Sequence, residues 1–393
     1  MRILLLSFYY LPDIGPGPIR AKSMTDALVE VTGGKAEIDV FTTMPNRYRT
    51  LGAVAPQQEK FGSVHVTRFQ LPPHQSGMID QAKAFLTFAQ SVRRAIRSKQ
   101  WDLVLATSSR LMTASLGAHV AKRAGAKLYL DIRDLFTDTM EDVLKASPLK
   151  ILLPVFDALE LRTFRSANKI NVVSAGFVPH IQKIAPKVGL STFTNGIDEE
   201  FVSGDFSLAE QNDLPLVLYA GNMGEGQGLH HVIPEVAKAL KDRVQFRLFG
   251  DGGRRKVLQN ELDSAAIATV KILDPVPRSA LFAEYRKADV LFLHLNDFKA
   301  FRKVLPSKIF EYAATGKPIL AGVGGYAADF LRDQVPGVEV FEPCDVAGMQ
   351  AGLERLLQGP RMIDRKSFCS RYLRKNIMRE MAGDVLSVIQ RAS

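Results

Sequence analysis

The segment of this sequence best suited to chemistry is LPSKIFEYAATGKPIL, at residues 305–320. Ser307 is placed to cap a short helix, and the Gly-Lys-Pro near its end predicts a helix exit before a new strand. The first turn of such a helix offers free backbone N–H groups and the positive end of a dipole, which favour a phosphate. Lys308 and Glu311 lie in that region, and a cation beside a carboxylate suits a sugar nucleotide, the cation for the diphosphate and the carboxylate for ribose hydroxyls. An ordinary helix-to-strand connection in a doubly wound sheet would use the same residues.

Glycine-rich turns follow several of the predicted strands. GNMGEGQG begins at Gly221, where four glycines leave a strand end free of bulk. LFGDGG places Gly250 at the next strand end, and DPVP places Val276 and Pro277 before another helix. Small residues at strand ends allow a bulky anion to approach the backbone.

Two loops of the first half also carry candidate residues. The loop after the first strand contains Gly15 and Gly17, but prolines interrupt it, so it departs from GxGxxG and no nicotinamide dinucleotide site is expected. It can serve as a ligand-facing loop or as a rigid turn. Asp131, Arg133 and Asp134 end another strand, and charges gathered at a buried strand end point either to a ligand or to an internal Asp–Arg ion pair.

Metal chemistry is not expected from this sequence. His230 and His231 are adjacent, so on a helix they point about 100° apart, which predicts that they cannot chelate one ion. His294 is interpreted as a hydrogen-bonded core histidine. Cys344 and Cys369 are too few for a disulfide framework and favour a reducing cytoplasm.

The 393-residue chain alternates short β-rich runs with helical periodicity, which predicts an α/β protein with two doubly wound sheets facing each other across a cleft. We predict an N-terminal domain over 1–194, a linker over 195–213, a second domain over 214–370, and a tail over 371–393 that returns to the first domain as a helix. The predicted strands are Ile3–Phe8, Ile38–Thr42, Val64–Arg68, Leu103–Ala106, Lys127–Asp131, Ile170–Val173, Leu216–Ala220, Gln245–Phe249, Val270–Ile272, Val290–Leu295, Ile319–Ala321 and Val338–Phe341. The predicted helices of the first half include Arg20–Val31, Ile79–Arg97 and Thr113–Ala124.

The net charge of +10 and pI near 9.5 favour anionic partners: nucleotides, nucleic acid or an anionic membrane surface. Nucleic acid is the weakest of these, because no RNA-binding aromatic signature or zinc-finger spacing is present. Two amphipathic segments, at 79–99 and 148–167, are interpreted as helices packed on the sheet, with the Arg-rich end at Arg93, Arg94 and Arg97 free for a membrane surface. The apolar N-terminus lacks a cleavage site and is read as a first strand.

The order GNMGEGQG, LFGDGG, DPVP, YRKADVLFL and LPSKIFEYAATGKPIL resembles the nucleotide-sugar half of the retaining family-4 glycosyltransferases with the GT-B fold. The opening FYYLPDIGPGPIRAKSMTDAL, with FTTMPNRY, LDIRDLF and FTNGID, is similar to the WbuB-like branch of O-antigen and capsule transferases. This resemblance covers nearly the whole chain.

The resemblance implies roles for particular positions. In the Glu-x7-Glu motif the second glutamate, which holds the ribose, falls at Glu311, whereas the first falls at Lys303. The arginine and lysine that bind the diphosphate in the glycine loop fall at Asn222 and Gln227. The WbuB-like branch commonly shares these changes, so they are not interpreted as inactivation.

The resemblance therefore leaves diphosphate neutralisation to Lys303 and Lys308, with Arg302 behind them. It also implies that Asp131 and Asp134 border the reacting sugar. No DxD-like motif argues for a metal, and no cofactor besides the donor is expected.

We expect a metal-independent retaining glycosyltransferase acting on a UDP-linked sugar, with an N-acetylated hexosamine favoured, and on a lipid-linked or sugar acceptor of surface polysaccharide assembly. A cytoplasmic location, peripheral to the inner face of the plasma membrane, fits the charge. The alternatives are a GT-B sugar-nucleotide epimerase and a non-catalytic nucleotide-sugar-binding subunit.

Overall fold

In the computed structural model the chain divides into two compact units, one of residues 1–195 with 374–393 and one of residues 196–373. The residues that the structure describes are 1–13, 15–46, 54–72, 78–97, 99–108, 110–145, 147–207 and 212–390.

The first unit is built on a sheet of eight described strands in the order β3-β4-β2-β1-β5-β6-β7-β8. Its neighbouring strands are parallel except β3 and β4, which pair antiparallel. The strands are β1 Arg2–Ser7, β2 Glu37–Thr43, β3 Gln58–Phe61, β4 Val64–Phe69, β5 Leu103–Ser108, β6 Lys127–Ile132, β7 Lys169–Val172 and β8 Gly189–Ser191. The helices are α1 Pro16–Val31, α2 Met78–Ala95, α3 Leu111–Ala124, α4 Phe136–Leu144, α5 Leu153–Arg165, α6 Val178–Ile184 and, from the end of the chain, α15 Arg374–Gln390.

The second unit has a parallel sheet of six described strands in the order β11-β10-β9-β12-β13-β14. The strands are β9 Leu216–Ala220, β10 Gln245–Phe249, β11 Val270–Leu273, β12 Val290–His294, β13 Ile319–Gly322 and β14 Val338–Phe341. The helices are α7 Glu199–Val202, α8 Leu229–Ala239, α9 Arg255–Ser264, α10 Arg278–Lys287, α11 Lys308–Ala314, α12 Tyr326–Gln334, α13 Val346–Gln358 and α14 Lys366–Arg371.

Fully buried apolar runs form the central strands, as expected where helices cover both faces of a parallel sheet. Every residue of β9 and β12 is buried, and both strands contribute to the two apolar cores of the second unit. Because β9 lies between β10 and β12, the chain reverses its direction of winding there. The crevice at the carboxyl ends of strands at such a point is where open α/β sheets bind ligands.

The strand predictions are confirmed, since each of the twelve overlaps an observed strand. The structure adds two short strands at the sheet edges, β3 and β8, whose residues are partly exposed and lack a clear apolar signal. The predicted linker is corrected over 196–207, because Ile197, Phe201 and Phe206 are buried in a core of the second unit. The remaining predicted segments at 208–211 and 391–393 lie outside the described residues.

The C-terminal helix α15 belongs to the first unit, where it packs on α1 and β6. Asp384 fixes it by accepting hydrogen bonds from Tyr129 Oη and Ser191 Oγ, each at 2.8 Å, and by an ion pair with Lys169. These partners lie on β6, β8 and β7, so one carboxylate ties the helix to three strands. Among the described residues, no helix has both the length and the apolar character needed to cross a bilayer.

Replacing Asp384 by alanine should loosen α15, because three donors lose one shared acceptor. Hydrogen bonds to a charged group are worth about 1.5–3 kcal/mol, so we expect the free energy of unfolding to fall by about 2–4 kcal/mol. Urea unfolding measures this, and Glu380→Ala on an exposed position of the same helix is the control. Equal stability of the two variants would contradict the anchoring role of Asp384.

Candidate active site

The candidate residues of the second unit gather where β9, β10 and β12 end. Helix α11 begins at Lys308 and has seven residues. The predicted cap is corrected: Ser307 occupies the N-cap position, but its backbone is helical and its side chain makes no capping hydrogen bond. The short helix is held in place by its buried residues Ile309, Phe310 and Tyr312, which belong to the core.

Lys308 lies against the backbone of Gly221 at the end of β9. A Cβ on Gly221 would stand 2.5 Å from Cε and 2.7 Å from Nζ of Lys308, so only glycine leaves room for this side chain. The ammonium also lies 5.9 Å from the ring centroids of Tyr219 and Tyr312. Burial lowers the pKa of Lys308, and the charge of Glu311 opposes that shift. Within the described part of the chain, the Lys308 amine forms no hydrogen bond or ion pair.

The same loop depends on a close contact between two glycines. Gly250, at the end of β10, has a φ of 151°, which is rare for residues with a side chain. A Cβ at Gly250 would stand 1.8 Å from the carbonyl oxygen of Gly221. The two predicted glycines are therefore in direct contact, and the Lys308 side chain lies against one of them, Gly221.

Glu311 faces Arg278, a residue that the sequence analysis did not identify. The Glu311 Oε1 to Arg278 Nη2 distance is 3.7 Å, which is too long for a hydrogen bond. Arg278 also pairs with Asp198 and with Glu200, the latter at 2.7 Å, and lies 4.8 Å over the ring of Phe201. Burial disfavours the charge on Arg278, but Asp198 and Glu311 outweigh burial and raise its pKa. Arg278 therefore orients Glu311 without occupying its oxygens.

A second unpredicted arginine supports the far end of α11. Arg365 is buried and donates to the carbonyls of Ala313 and Lys317, at 3.3 and 2.8 Å, and to that of Pro336 at 2.8 Å. Ala313 lies in the last turn of α11, Lys317 just beyond its end and Pro336 after α12, so Arg365 joins the exit of α11 to the loop after α12. Burial lowers the pKa of Arg365 to about 10. The helix that carries Lys308 is thus fixed at its exit.

Asn222 and Gln227, which the family resemblance places at the diphosphate-binding positions, bind each other. Asn222 Nδ2 donates to Gln227 Oε1 at 2.7 Å, and the Gly224 N–H reaches the same oxygen at 3.3 Å. The structure therefore brings the predicted pair together in an uncharged hydrogen bond across the glycine loop, which we call the Asn222–Gln227 clasp. This arrangement leaves Lys308 as the cation beside Gly221.

His294 is buried and hydrogen-bonds to the backbone of this loop, which confirms its interpretation as a hydrogen-bonded core histidine. Its Nε2 accepts from the Cys344 N–H at 3.0 Å, so its Nδ1 carries the proton and donates to the Gln227 carbonyl at 2.6 Å. Burial lowers the pKa of His294 to about 4, which keeps the ring neutral. Asn296 adds a bond from Nδ2 to the Glu225 carbonyl at 2.9 Å.

The remaining candidates of the second unit have separate positions. Lys303 ends the 3₁₀ helix Lys299–Lys303 and is half-buried. Arg302 beside it is exposed and pairs with Asp297 at 2.9 Å and Glu342 at 3.5 Å, so much of its charge is already compensated. Val276 packs against the core, and Pro277 occupies the N-cap position of α10, directly before Arg278.

Asp131, which is predicted to border the reacting sugar, has its carboxylate bound by side chains of its own unit. Both its oxygens bind Arg20, at 2.8 and 2.9 Å, and they also accept from Thr107 and Asn171, each at 2.8 Å. Burial would raise the pKa of Asp131, but the charge and hydrogen bonds of Arg20 outweigh burial and lower it. With its acceptors occupied inside the unit, Asp131 supports the fold. The alternative of an internal Asp–Arg pair is thus correct, with Arg20 as the partner.

Asp134 has different surroundings from Asp131. Burial raises its pKa to about 6, although the Leu135 N–H and Arg133 oppose that shift. Nearby, His180 binds Glu160 at 2.9 Å and lies 3.8 Å from Asp138, a cluster that the sequence analysis missed. Asp134 remains the candidate of the first unit that can exchange a proton near neutral pH.

Gly15 and Gly17 lie at the beginning of α1. Gly15 is the N-cap residue, with a φ of 139°. A Cβ on Gly17 would stand 2.2 Å from the guanidinium of Arg133. The space next to Gly17 is therefore occupied by Arg133, from the loop after β6. The structure therefore joins two loops that the sequence analysis treated separately.

The geometric argument against a histidine pair is wrong. The rings of His230 and His231 lie 4.0 Å apart, and their nitrogens and a Glu225 oxygen all lie within 4.8 Å of one another. The helix start lets the two side chains converge. Burial, followed by the charge of His231, lowers the pKa of His230. Glu225 is ion-paired with Arg254.

Two units, each built on a largely parallel sheet covered by helices, are typical of the GT-B fold class. Solved structures of this class are similar over essentially the whole chain. Sucrose-phosphate synthase from Thermosynechococcus elongatus has a TM-score of 0.72 and 14% identity, with 99% of this chain and 96% of that chain covered. HepE of Anabaena, solved with UDP, has a TM-score of 0.57 and 15% identity, with 100% and 98% covered.

Sequence comparison specifies the family. The profile of Glycosyl transferases group 1 matches residues 204–375, and that of the Glycosyl transferase 4-like domain matches residues 24–188. WcaI of Escherichia coli K12, assigned as a colanic acid biosynthesis glycosyl transferase, is 26% identical over 283 residues, with 68% of this chain and 69% of WcaI covered. The chain therefore combines a Glycosyl transferase 4-like domain with a Glycosyl transferases group 1 domain in a GT-B fold, and the protein is a glycosyltransferase.

Replacement by alanine should reduce stability by different amounts at Gly221 and Gly250. Gly221→Ala meets the flexible end of Lys308 and should cost less than about 1 kcal/mol of stability while displacing the amine. Gly250→Ala meets the Gly221 backbone at an unfavourable φ and should cost at least about 2 kcal/mol. Urea unfolding of both variants measures the difference, and equal costs would contradict the described packing.

Proposed function

We propose that this protein transfers a sugar, with retention of anomeric configuration, from a UDP-linked donor to an acceptor of surface polysaccharide assembly. An N-acetylated hexosamine is the sugar we favour. The observation that carries the proposal is the Lys308 ammonium, which lies against the Gly221 backbone with no anion bound to it except the nearby charge of Glu311.

Electrostatics explains why this ammonium suits a diphosphate. Lys308 is half-buried, and desolvation of a charge without a close partner is unfavourable, which the lowered pKa of Lys308 reflects. A diphosphate beside Gly221 would supply the missing negative charge. The charge on that group grows as the sugar leaves, so a fixed cation there stabilises the transition state more than the ground state.

Glu311 suits the other end of the donor. It lies one turn after Lys308 on α11, and its 3.7 Å distance from Arg278 leaves carboxylate lone pairs open. A carboxylate accepts hydrogen bonds from two vicinal hydroxyls, which is the chemistry of a ribose. Val276 and Pro277 lie directly before Arg278 in sequence, and we assign them to the nucleobase side.

We propose a mechanism that uses no metal and no cofactor. Lys308 is the principal cation, with Lys303 as the second candidate. The Asn222–Gln227 clasp holds the glycine loop closed without adding charge. Asp134 is the group of the first unit that we assign to the acceptor side, where its raised pKa would let it hold or accept a proton.

The relatives support the choice of substrates. HepE of Anabaena was solved with UDP, and WcaI is assigned to colanic acid synthesis. Both chains are similar to this one over most of its length. We extend from them a nucleoside diphosphate donor and an acceptor that is a growing, lipid-linked glycan, reached at an anionic membrane surface on the cytoplasmic side.

Product analysis tests the function. The protein is incubated with a panel of UDP-, GDP- and ADP-sugars and lipid-linked acceptors, and products are identified by mass spectrometry and their anomeric configuration by NMR. UDP release with an extended, configuration-retained acceptor is the expected result. Epimerised donor without acceptor use would identify the sugar-nucleotide epimerase instead, and donor binding without turnover would identify a binding subunit.

Glu311→Ala should weaken UDP binding by about tenfold or more, because charged hydrogen bonds of about 1.5–3 kcal/mol each are lost. The fold should persist, since Arg278 keeps Asp198 and Glu200 as partners. Calorimetric titration with UDP measures the affinity. Glu354→Ala, which removes a carboxylate paired with Arg243 elsewhere in the unit, is the control, and equal UDP affinity of both variants would remove Glu311 from the site.

Lys308→Ala should lower turnover about a hundred- to a thousandfold with little loss of stability, because it removes one electrostatic donor at the leaving group. Stability should even rise slightly, since burial opposes the charge on Lys308. Lys303→Ala, measured in parallel, identifies which lysine meets the phosphates. Full turnover of the Lys308 variant would contradict its role.

A further inference from the structure

The segment Pro148–Val155 of the first unit exposes a continuous set of large apolar side chains. Its 3₁₀ helix Pro148–Leu152 buries no residue, and α5 follows directly. The exposed fractions are 42% for Leu149, 77% for Ile151, 43% for Leu152 and 62% for Val155. No other stretch of eight residues in the described chain has four large exposed apolar side chains.

This exposure corrects the expectation that the segment 148–167 packs on the sheet apart from its Arg-rich end. The buried residues of α5 are Glu160, Thr163 and Phe164, all in its second half. The other amphipathic segment behaves as expected, because α2 buries Phe85, Phe88 and Val92. The apolar face of 148–155 is thus left uncovered by the unit that carries it.

The charged residues within this stretch are positive, while Glu141, Asp142 and Asp157 flank it on its two sides. Residues 144–156 contain Lys145 and Lys150, both exposed, and no aspartate or glutamate. The whole chain carries a net charge of +10. An apolar face with lysines beside it complements a surface that is apolar inside and anionic outside, which is the surface of a bilayer with acidic lipids.

The size of the face favours a bilayer over a protein partner. A stable protein interface involves about 20–30 residues on each side, whereas four side chains form this face. Shallow insertion into lipid needs only a few large apolar groups, and their transfer energy adds to that of the lysines. Lysine side chains can extend to the headgroups while the segment lies in the interface.

We propose that Pro148–Val155 is a membrane-docking element that places Leu149, Ile151, Leu152 and Val155 in the interfacial layer of an anionic bilayer. It rests on the proposed function only in that a lipid-linked acceptor lies in such a layer. The exposed Arg93, Arg94 and Arg97 of the α2 end add long-range attraction but no insertion.

Vesicle flotation with full-length protein tests the element, using phosphatidylcholine vesicles with and without phosphatidylglycerol. The variant is Ile151→Gln with Val155→Gln, and the control is Val31→Gln with Val54→Gln, which removes two exposed valines of the same unit. We expect the variant to lose at least about tenfold of the bound fraction at 0.15 M salt, and the control to lose none. Activity on a lipid-linked acceptor should fall with binding, while UDP affinity stays unchanged.

The triple Arg93, Arg94 and Arg97→Gln variant separates insertion from attraction. It should lower binding at low salt and lose little at high salt, whereas the Ile151 and Val155 variant should lower binding at both. Three results would overturn the proposal: no vesicle binding of the native chain, equal binding of variant and control, or a dimer in sedimentation that the same substitutions abolish. If neither the native chain nor any variant binds UDP, that result would instead count against the proposed function.

Discussion

The candidate active site depends on the contact between the backbones of Gly221 and Gly250. The φ of 151° at Gly250 and the 1.8 Å approach of its absent Cβ to the Gly221 carbonyl show that the end of β10 does not tolerate a side chain at this contact. The same lack of bulk at Gly221 admits the Lys308 amine. The ends of β9 and β10 and the beginning of α11 thus meet at Gly221, where the Lys308 amine lies.

Asp131 in the first unit and Lys308 in the second differ in whether a neighbouring side chain pairs with their charge. In the first unit, Arg20 and Asp131 satisfy each other inside the fold, so the carboxylate has no lone pair left for chemistry. In the second, Lys308 lies against Gly221 and has no such partner among the residues that the structure describes. A buried ion that is fully paired serves structure, whereas one that is held but unpaired favours an anionic ligand.

Sequence alone predicted the elements and much of the site. Apolar runs gave the strands because both faces of the two sheets are covered, and the spacing of Lys308 and Glu311 placed them on one helix. The strand-end glycines followed from the same reasoning. These inferences needed only local patterns.

The failures concern contacts between distant residues. Arg20 lies 111 residues before Asp131, and no local pattern connects them. Arg278 and Arg365 reach α11 from other elements, and no spacing signal marks them. The exposure of Ile151 was also hidden, because an amphipathic pattern shows which residues are apolar but not whether another element covers them.

A crystal structure of the protein with UDP tests the account most directly. The account predicts that the diphosphate lies beside the Lys308 amine over Gly221 and that the ribose hydroxyls donate to Glu311. A nucleotide bound with its phosphates on other cations, and with Glu311 still facing only Arg278, would contradict it.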